Sequence, residues 1–202
     1  MPPDAPALVL ASASTTRASL LAAAGLTFEQ MASAVDEDEV KRSMRAAGAD
    51  AGEAAAALAA AKARSVARRR PDALVIGADQ ILDCGGVWFD KPPDLDHARG
   101  HLAALRGRAH RLATAVCVMR GDALLWQHRE FPALTMRSFS DAFLDAYVAA
   151  SGGDLLGSVG AYRLEGPGVQ LFSRIEGDHF AILGLPLLPL LDFLRGHEAV
   201  WR

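Results

Sequence analysis

The chain has 202 residues, a formal net charge of −3 and a pI of about 6.1, and 51% of its residues are hydrophobic. This hydrophobic content is enough for one substantial core or two small lobes. The near-neutral charge balance argues against a sequence-independent binder of nucleic-acid polymers, because such proteins normally carry a basic surplus. The two cysteines, Cys84 and Cys117, are too few for a disulfide framework and lack the spacing of metal ligands.

The N-terminal lead and the most apolar stretch predict a protein that does not interact with membranes. Residues 1–6 form a proline-rich lead that we expect to be flexible, without the basic and apolar regions of a secretory signal. The most apolar stretch, residues 181–191, is interrupted by Pro186 and Pro189 and is too short to span a bilayer. These features predict a soluble, cytoplasmic α/β protein.

A strand followed by a hydroxyl-rich loop comes next in the chain. Residues 7–11 (ALVLA) are predicted to form a buried strand, and residues 18–24 a helix that ends at Gly25. Ser14 or Thr15 is a natural N-cap, and the positive end of this helix, with Arg17 beside it, would suit an anion. Neither a Walker lysine motif nor a Rossmann glycine fingerprint is present, so a plain strand–loop–helix connection is the alternative.

Two features between this helix and the centre of the chain are ambiguous on their own. The acidic run at residues 36–39 follows a weaker predicted strand at residues 28–35, and such runs are usually solvated, although a magnesium or phosphate-side role stays open. The alanine-rich residues 51–70 predict a helix that Pro71 ends. Lys62 lies alone among these alanines and, judged locally, is an ordinary solvated lysine.

The central stretch, residues 74–91, brings a carboxylate and a lysine into one short segment. Its predicted parts, in order, are a buried strand 73–76 ended by Gly77, Asp79, a short strand 81–82, a Gly85-Gly86 turn, a strand 87–89, and Asp90-Lys91-Pro92. Open α/β sheets place ligand chemistry at the carboxyl ends of strands, so Asp79 and Lys91 are candidate site residues. The alternative is a surface acid that caps a strand and a lysine in an ordinary loop.

The second half of the chain alternates between helices and strands. The predicted elements are a helix 95–105, an antiparallel hairpin of strands 109–119 and 124–135, a helix capped by Ser140 and ending near residue 150, a glycine-rich region 157–168, a short element 169–176, and a last helix ending near Arg195 with Pro186 in its first turn. No internal repeat or linker divides the chain, so residues 1–202 are predicted to form one domain.

Taken together, these pieces resemble the Maf family of nucleotide pyrophosphatases, also called septum-formation inhibitor-like proteins. The matching motifs, in chain order, are Leu10–Arg17, Val35–Glu37, Ala61–Ala63, Ile76–Gln80, Asp90–Pro92, Gly160–Tyr162 with Glu165-Gly166, and Gly184–Leu187. Each motif is short, but their common order covers nearly the whole chain. Thr15 departs from the pattern, because the family usually has proline at this position.

The resemblance implies an α/β fold of the Maf and inosine-triphosphate-pyrophosphatase type. In this fold a twisted mixed sheet with flanking helices is divided into two lobes around a deep cleft, and homodimers are common. It also implies hydrolysis of a nucleoside triphosphate between the α and β phosphorus atoms, with a divalent cation, Mg²⁺ or Mn²⁺, as cofactor. The alternative is a non-catalytic, nucleotide-binding regulator of cell division or septation.

The resemblance also implies roles for individual residues. The catalytic residues would be Asp79 as proton acceptor, Glu37, Lys62 and Lys91, and Glu37 and Asp79 would be the candidate metal ligands. The substrate-binding residues would be Ser12, Ser14, Thr16, Arg17, Gln80 and Glu165. These residue types suit the reaction, because cations spread the charge of a triphosphate while carboxylates orient water and hold metal. The residue types do not say which of the two carboxylates binds the metal.

Three of these positions bear on the choice of base. Gln80 and Glu165 resemble the 7-methyl-GTP branch of the family, whereas Thr16 occupies a position that is tryptophan in that branch and arginine in the branch that prefers pyrimidines. A carboxylate such as Glu165 only accepts hydrogen bonds, which suits the donor edge of guanine. We therefore expect a guanine-like preference, without the stacking surface that a tryptophan would supply.

Overall fold

The computed structural model describes residues 5–201, so residues 1–4 of the predicted N-terminal lead lie outside the described range. Within that range the strands are β1 (Leu8–Leu10), β2 (Glu29–Gln30), β3 (Leu74–Cys84), β4 (Val87–Phe89), β5 (Ala109–Arg120), β6 (Ala123–Glu130), β7 (Ala133–Met136) and β8 (Phe172–Glu176). The α-helices are α1 (Thr15–Ala23), α2 (Glu37–Ala46), α3 (Ala51–Ala67), α4 (Leu95–Leu105), α5 (Asp141–Ser151), α6 (His179–Ile182) and α7 (Leu187–Gly196). Two 3₁₀ helices cover Gly152–Gly157 and Pro167–Leu171. The fold is a mixed sheet with flanking helices, as predicted.

The chain forms two compact units, each built from separate stretches of sequence. The first unit comprises the described residues up to 80, residues 114–130 and the described residues from 178 onwards, and the second comprises residues 81–113 and 131–177. Strands β3 and β5 contribute residues to both units, because the chain passes from one to the other within each of these strands.

The sheet of the first unit combines parallel and antiparallel pairs. Strand β1 pairs in parallel with β2 and with β3, in a register that places Leu10 beside Ile76. The second half of β5 pairs antiparallel with β6. Leu10, Ile76 and Val118 are fully buried in the core of this unit, together with Leu190 and Leu194 of α7. Burial of such a side chain contributes about 1.5–3 kcal/mol, so these apolar runs stabilise the sheet that carries the polar residues described below.

Strand β3 is continuous, so the prediction that Gly77 ends a strand is wrong. The strand runs without interruption from Leu74 to Cys84, and Asp79 lies inside it. Gly77 has a packing role instead, since a Cβ atom there would lie 2.2 Å from the carbonyl oxygen of Ala59 and 2.8 Å from the Cβ atom of Ala63. Glycine in β3 and alanine in α3 therefore allow the helix and the strand to approach closely.

The acidic run begins a helix that the sequence analysis missed. Asp36 is the N-cap of α2, where its side chain accepts a hydrogen bond from the backbone N–H of Glu39. Glu37, Asp38 and Glu39 occupy the first turn. Negative charges are favourable there because the N-terminus of a helix carries a partial positive charge. The strand predicted before this run is also much shorter than expected, since β2 contains only Glu29 and Gln30.

The second unit contains the predicted glycine hairpin. Strands β3 and β4 pair antiparallel, with Cys84 opposite Val87. Between them Gly85 and Gly86 have φ angles of 65° and 86°, the left-handed values that a two-residue hairpin turn requires. The first half of β5 pairs antiparallel with β7, which in turn pairs with β8.

The long strand predicted over residues 124–135 is divided in two. Strand β6 ends at Glu130 and β7 starts at Ala133, with Pro132 between them, which has no N–H to donate to a ladder. The two strands pair with different halves of β5. Pro132 was the sequence signal for this break, but the apolar pattern on both sides of it favoured one continuous strand.

The predicted helices at residues 95–105 and after Ser140 are confirmed as α4 and α5, and Ser140 caps α5 by accepting from the N–H of Phe143. The last predicted helix is confirmed as α7, which begins directly after Pro186. The short helix α6 was not predicted. Among residues 5–201, no helix combines the length and apolar character needed to cross a bilayer.

Candidate active site

A buried lysine joins two carboxylates in the first unit. The Nζ atom of Lys62 lies 2.6 Å from Oδ1 of Asp79 and 2.8 Å from Oε1 of Glu37. The side chains of Lys62 and Asp79 are only 8% and 7% exposed, whereas that of Glu37 is 45% exposed. Lys62 is therefore not a solvated lysine, although its alanine-rich surroundings gave that impression.

Three elements that are distant in sequence bring these charges together. Lys62 projects from α3, Asp79 from the middle of β3, and Glu37 from the first turn of α2. A buried ion costs several kcal/mol unless it is paired. Two carboxylates on one ammonium group satisfy this requirement, and the three groups together carry one net negative charge when all are ionised.

Arg17 is buried beside this group and is tied to the protein backbone. Its Nε donates to the carbonyl of Gly184 at 2.8 Å, and its Nη1 donates to the carbonyl of Ala78 at 2.9 Å and to Oγ of Ser12 at 3.3 Å. Burial lowers the pKa of the Arg17 guanidinium, and the nearby charges of Asp79 and Glu37 oppose this shift. Because an arginine stays protonated under such conditions, it provides a fixed positive charge close to Asp79.

The loop after β1 begins a helix as predicted. Ser14 is the N-cap of α1, and its Oγ accepts from the N–H of Arg17. Oγ of Ser12 accepts from the N–H of Ser14 at 3.2 Å, and Gln30 donates to the carbonyl of Ser12 at 2.8 Å. Thr16 lies in the first turn of α1 and is partly buried. The loop is thus held from several sides at the positive end of a helix of nine residues.

Gln80, which follows Asp79 in β3, makes contacts that sequence analysis did not anticipate. Its Nε2 lies 2.8 Å from Oγ1 of Thr114, 3.0 Å from the carbonyl oxygen of Ala181 and 3.2 Å from that of Ile182. Thr114 itself donates to the Ala181 carbonyl at 2.9 Å. Nothing in the sequence marks Thr114 or the carbonyl groups of α6, because their contacts join residues between 34 and 102 positions apart.

Lys91 and Glu165 belong to the second unit, whereas the other predicted site residues belong to the first. Lys91 is exposed and follows β4 by two positions. Oε1 of Glu165 lies 3.5 Å from Nη2 of Arg163. Glu165 also lines a pocket of about 260 Å³ whose wall includes Tyr147, Ser151, Asp154 and Gly168. A carboxylate at the wall of a pocket can accept hydrogen bonds from a small molecule.

Comparison with known proteins identifies the family. The family model described as Maf-like protein matches residues 7–197. A nucleoside triphosphate pyrophosphatase of Granulibacter bethesdensis is 60% identical, over 96% of this chain and 98% of its own. Another of Paramagnetospirillum magneticum is 54% identical, over 93% and 96%. A 7-methyl-GTP pyrophosphatase of Rhizobium meliloti is 50% identical, over 96% and 98%. The motifs and the fold agree with this match along nearly the whole chain, and the protein belongs to the Maf-like family.

Proposed function

We propose that this protein is an enzyme, a nucleoside triphosphate pyrophosphatase that hydrolyses the bond between the α and β phosphorus atoms. The products are a nucleoside monophosphate and pyrophosphate. The observation that carries the proposal is the buried Lys62, hydrogen-bonded to Asp79 and paired with Glu37, in a chain that is 60% identical to a protein named for this activity. Because taking charges out of water costs free energy even when they are paired, a buried ionic group of this kind is weak evidence of a purely stabilising role and suits a site.

Asp79 is the proton acceptor in this proposal. The Lys62 ammonium donates to Oδ1 of Asp79 and thereby fixes the orientation of the carboxylate. An ionised carboxylate has a second oxygen that can accept a proton from water. A base held in place in this way can orient a water molecule for attack on the phosphorus atom.

A divalent cation, Mg²⁺ or Mn²⁺, is part of the proposal, and the residues present fit it. Magnesium is usually held by one or two carboxylates, with water and substrate phosphate oxygens as the other ligands. Glu37 and Asp79 supply two carboxylates around one ammonium group. Among residues 5–201, no group of three or more His, Cys, Asp or Glu side chains is suited to a metal. In this proposal, water and phosphate oxygens therefore supply the remaining ligands. When bound, the cation would neutralise negative charge on the triphosphate.

The positive charges of Arg17, Lys62 and Lys91 would act on the phosphate groups. Arg17 is held by the carbonyls of Gly184 and Ala78, so it is a preorganised charge that needs no rearrangement during the reaction. The hydroxyl groups of Ser12 and Ser14 lie at the start of α1, where the partial positive charge of the helix favours a phosphate.

Glu165 would contact the base and favour guanine. Its carboxylate offers only acceptors, and guanine presents an N–H and an amino group on one edge. One relative, 50% identical, is named for 7-methyl-GTP, which contains a modified guanine. Thr16 would lie at the base as well, but it has no aromatic surface for stacking.

Location and assembly complete the proposal. We expect the enzyme to act in the cytoplasm on free nucleotides, without a nucleic-acid polymer or a membrane, and a homodimer is compatible with it.

The experiment that tests this function is a panel of nucleotides. The purified protein is incubated with GTP, 7-methyl-GTP, UTP and dTTP in the presence of Mg²⁺ or Mn²⁺, and pyrophosphate and orthophosphate are measured separately. The proposal expects pyrophosphate and the nucleoside monophosphate. Release of orthophosphate with a diphosphate would instead place cleavage at the terminal phosphate. Nucleotide binding without any hydrolysis would favour the regulator of septation.

A further inference from the structure

Gln30 in the edge strand β2 supports the loop that carries Ser12 and Ser14. Its Nε2 donates to the carbonyl oxygen of Ser12 at 2.8 Å and lies 3.4 Å from the carbonyl oxygen of Ser14. The Ser14 carbonyl also accepts the first helical hydrogen bond of α1, from the N–H of Ala18 at 3.2 Å. The shorter contact, to Ser12, is therefore the one that holds the loop.

The sheet fixes the backbone from which the Gln30 side chain extends. Strand β2 pairs in parallel with β1, with Gln30 beside Leu10, and the N–H of Met31 donates to the carbonyl of Leu10 at 3.0 Å. A carbonyl oxygen only accepts hydrogen bonds, so the group of the Gln30 amide that faces Ser12 must be the NH₂ group. A donor on a strand held by the sheet thus holds the loop that follows the neighbouring strand.

Holding the Ser12 carbonyl also fixes the direction of the next N–H group, that of Ala13. In a trans peptide the C=O group and the N–H group that follows it point in opposite directions, and the peptide bonds among residues 5–201 are all trans. The N–H of Ala13 therefore points away from Gln30. Ala13 is exposed, and its N–H has no hydrogen-bond partner within the described part of the chain.

The start of α1 adds further donors to the same loop. The first N–H groups of a helix have no partner within the helix, and α1 begins at Thr15, directly after Ser14. Oγ of Ser14 accepts from the N–H of Arg17, whereas the N–H groups of Thr15 and Thr16 have no hydrogen-bond partner among residues 5–201. With Ala13, three backbone donors of this loop are available to an anion.

We propose that Gln30 is a positioning residue for phosphate binding: it holds the loop so that the backbone N–H groups of Ala13, Thr15 and Thr16 donate to phosphate oxygens of the substrate. Gln30 itself does not touch the substrate. Donors that are held in place before binding need no rearrangement when the phosphate arrives. The proposal rests on the proposed function, which places the phosphate groups at this loop. Because every triphosphate has these groups, Gln30 should act alike on all of them.

The test compares two substitutions of Gln30 with the parent protein. Gln30→Met preserves the approximate length of the side chain but removes its N–H donors, and Gln30→Glu replaces them with a carboxylate. Gln127→Met is the matched control, because Gln127 is an exposed glutamine of another strand, β6. For each protein, kcat and KM are measured with GTP and UTP. Calorimetry gives the dissociation constant of inorganic tripolyphosphate, which has three phosphate groups but no base or sugar, and the melting temperature is recorded.

Gln30→Met should weaken the binding of phosphate without changing the chemical step. We expect KM to rise by about fivefold to twentyfold, by the same factor for GTP and UTP, while kcat stays within about threefold. The dissociation constant of tripolyphosphate should rise by a similar factor. Gln30→Glu should have at least as large an effect, because its carboxylate faces the Ser12 carbonyl and adds a negative charge near the phosphate groups. Gln127→Met should leave all these values within about twofold of the parent's.

Other results would overturn the assignment. A lower melting temperature of Gln30→Met, with KM and tripolyphosphate affinity unchanged, would show that Gln30 has only a structural role. An increase in KM confined to one nucleotide would place Gln30 at the base instead of the phosphate groups.

The tripolyphosphate measurement separates this proposal from the proposed function. If the parent protein hydrolyses no nucleotide, the proposed function fails. Weaker tripolyphosphate binding by Gln30→Met than by the parent and Gln127→Met would still support the positioning role. Equal binding by the three proteins, or a parent that does not bind tripolyphosphate, would overturn it.

Discussion

Lys62 and Asp79 form a buried ion pair with 2.6 Å between Nζ and Oδ1, and this pair connects helix α3 to strand β3. Glu37 approaches the same ammonium group from a more exposed position, at 2.8 Å. The arrangement joins stability to the proposed chemistry, because the lysine that compensates the buried carboxylate also orients it. Removal of either partner therefore affects both properties.

Substitution of Lys62 by methionine tests this double role. Lys62→Met leaves Asp79 buried without its ammonium partner, and we expect the free energy of unfolding to fall by about 3–5 kcal/mol. Pyrophosphate release should be strongly reduced for every triphosphate, since all of them share the phosphate groups. Denaturant unfolding and the nucleotide panel measure the two effects.

Arg64→Met is a matched control, because Arg64 lies on the same helix and is exposed. It should change stability by no more than about 0.5 kcal/mol. Equal changes in unfolding free energy and in pyrophosphate release for Lys62→Met and Arg64→Met would contradict the importance of the buried pair.

Base choice depends on Glu165 in this account. We expect kcat/KM for GTP to exceed that for UTP and dTTP, because a carboxylate placed against a pyrimidine carbonyl sets two acceptors against each other without a hydrogen between them. Such a mismatch costs on the order of 1–3 kcal/mol. Glu165→Gln introduces a donor and should narrow the difference between GTP and UTP. A parent protein with equal rates for the two nucleotides, or a difference that the substitution does not alter, would show that Glu165 does not contact the base.

Gly77 provides a prediction about the packing of α3 on β3. A Cβ atom at this position would lie 2.2 Å from the backbone oxygen of Ala59, so Gly77→Ala forces the helix and the strand apart. Overpacking of this kind costs about 1–3 kcal/mol, and more where the backbone cannot move. Because Lys62 lies on the displaced helix, turnover should fall as well.

Gly100→Ala is the corresponding control. Gly100 lies inside α4, and nothing lies within 4 Å of a Cβ atom built there. Alanine should therefore stabilise the protein by about 0.5–1 kcal/mol through its higher helix propensity. Melting temperatures of the two variants should shift in opposite directions. A stable Gly77→Ala protein would contradict the close approach of α3.

His110 in the second unit predicts a pH dependence of stability. It is 2% exposed, its Nε2 lies 2.8 Å from the hydroxyl oxygen of Tyr162, and burial lowers its pKa from 6.5 to about 4. Between pH 4 and pH 6.5, the unfolded chain therefore binds more protons than the folded protein does. The contribution of neutral His110 is fully present above pH 6.5 and is lost as the pH falls towards 4. Its loss amounts to about 3 kcal/mol at most.

The measurement is denaturant unfolding between pH 4 and pH 8 for the parent protein and for His110→Gln. Glutamine can hydrogen-bond to Tyr162 but does not titrate, so the variant should lose less stability on acidification. All other titrating groups are common to both proteins and cancel in the comparison. If the free energy of unfolding falls with pH by the same amount in both proteins, His110 does not contribute to the pH dependence of stability.

The sequence predicted those parts of the fold that depend on local signals. Ser140 and Ser14 cap helices where expected, and Gly85-Gly86 forms the predicted hairpin turn. Prediction from the sequence failed where a long-range contact determines the structure. Gly77 suggested the end of a strand, because nothing local reveals that Ala59 packs against it.

The candidate site shows the same division. The order of short motifs was enough to indicate the family and to select Asp79, Glu37 and Lys62. The local sequence around Lys62 gave no sign of burial, since its two carboxylate partners lie 17 and 25 positions away. Likewise, the hydrogen bonds of Gln80 to α6 depend on how β3 packs, which a strand pattern does not specify.

The most direct test of the account is a comparison of the parent protein with Asp79→Asn in the same assay. Asparagine keeps the size of the side chain but cannot accept a proton as a carboxylate does. We predict that monophosphate and pyrophosphate formation from GTP falls by about two to four orders of magnitude. Binding of GTP, measured by calorimetry on the same preparations, should be largely retained. Near-normal turnover by Asp79→Asn would contradict the central claim, because the attacking water would then not depend on Asp79.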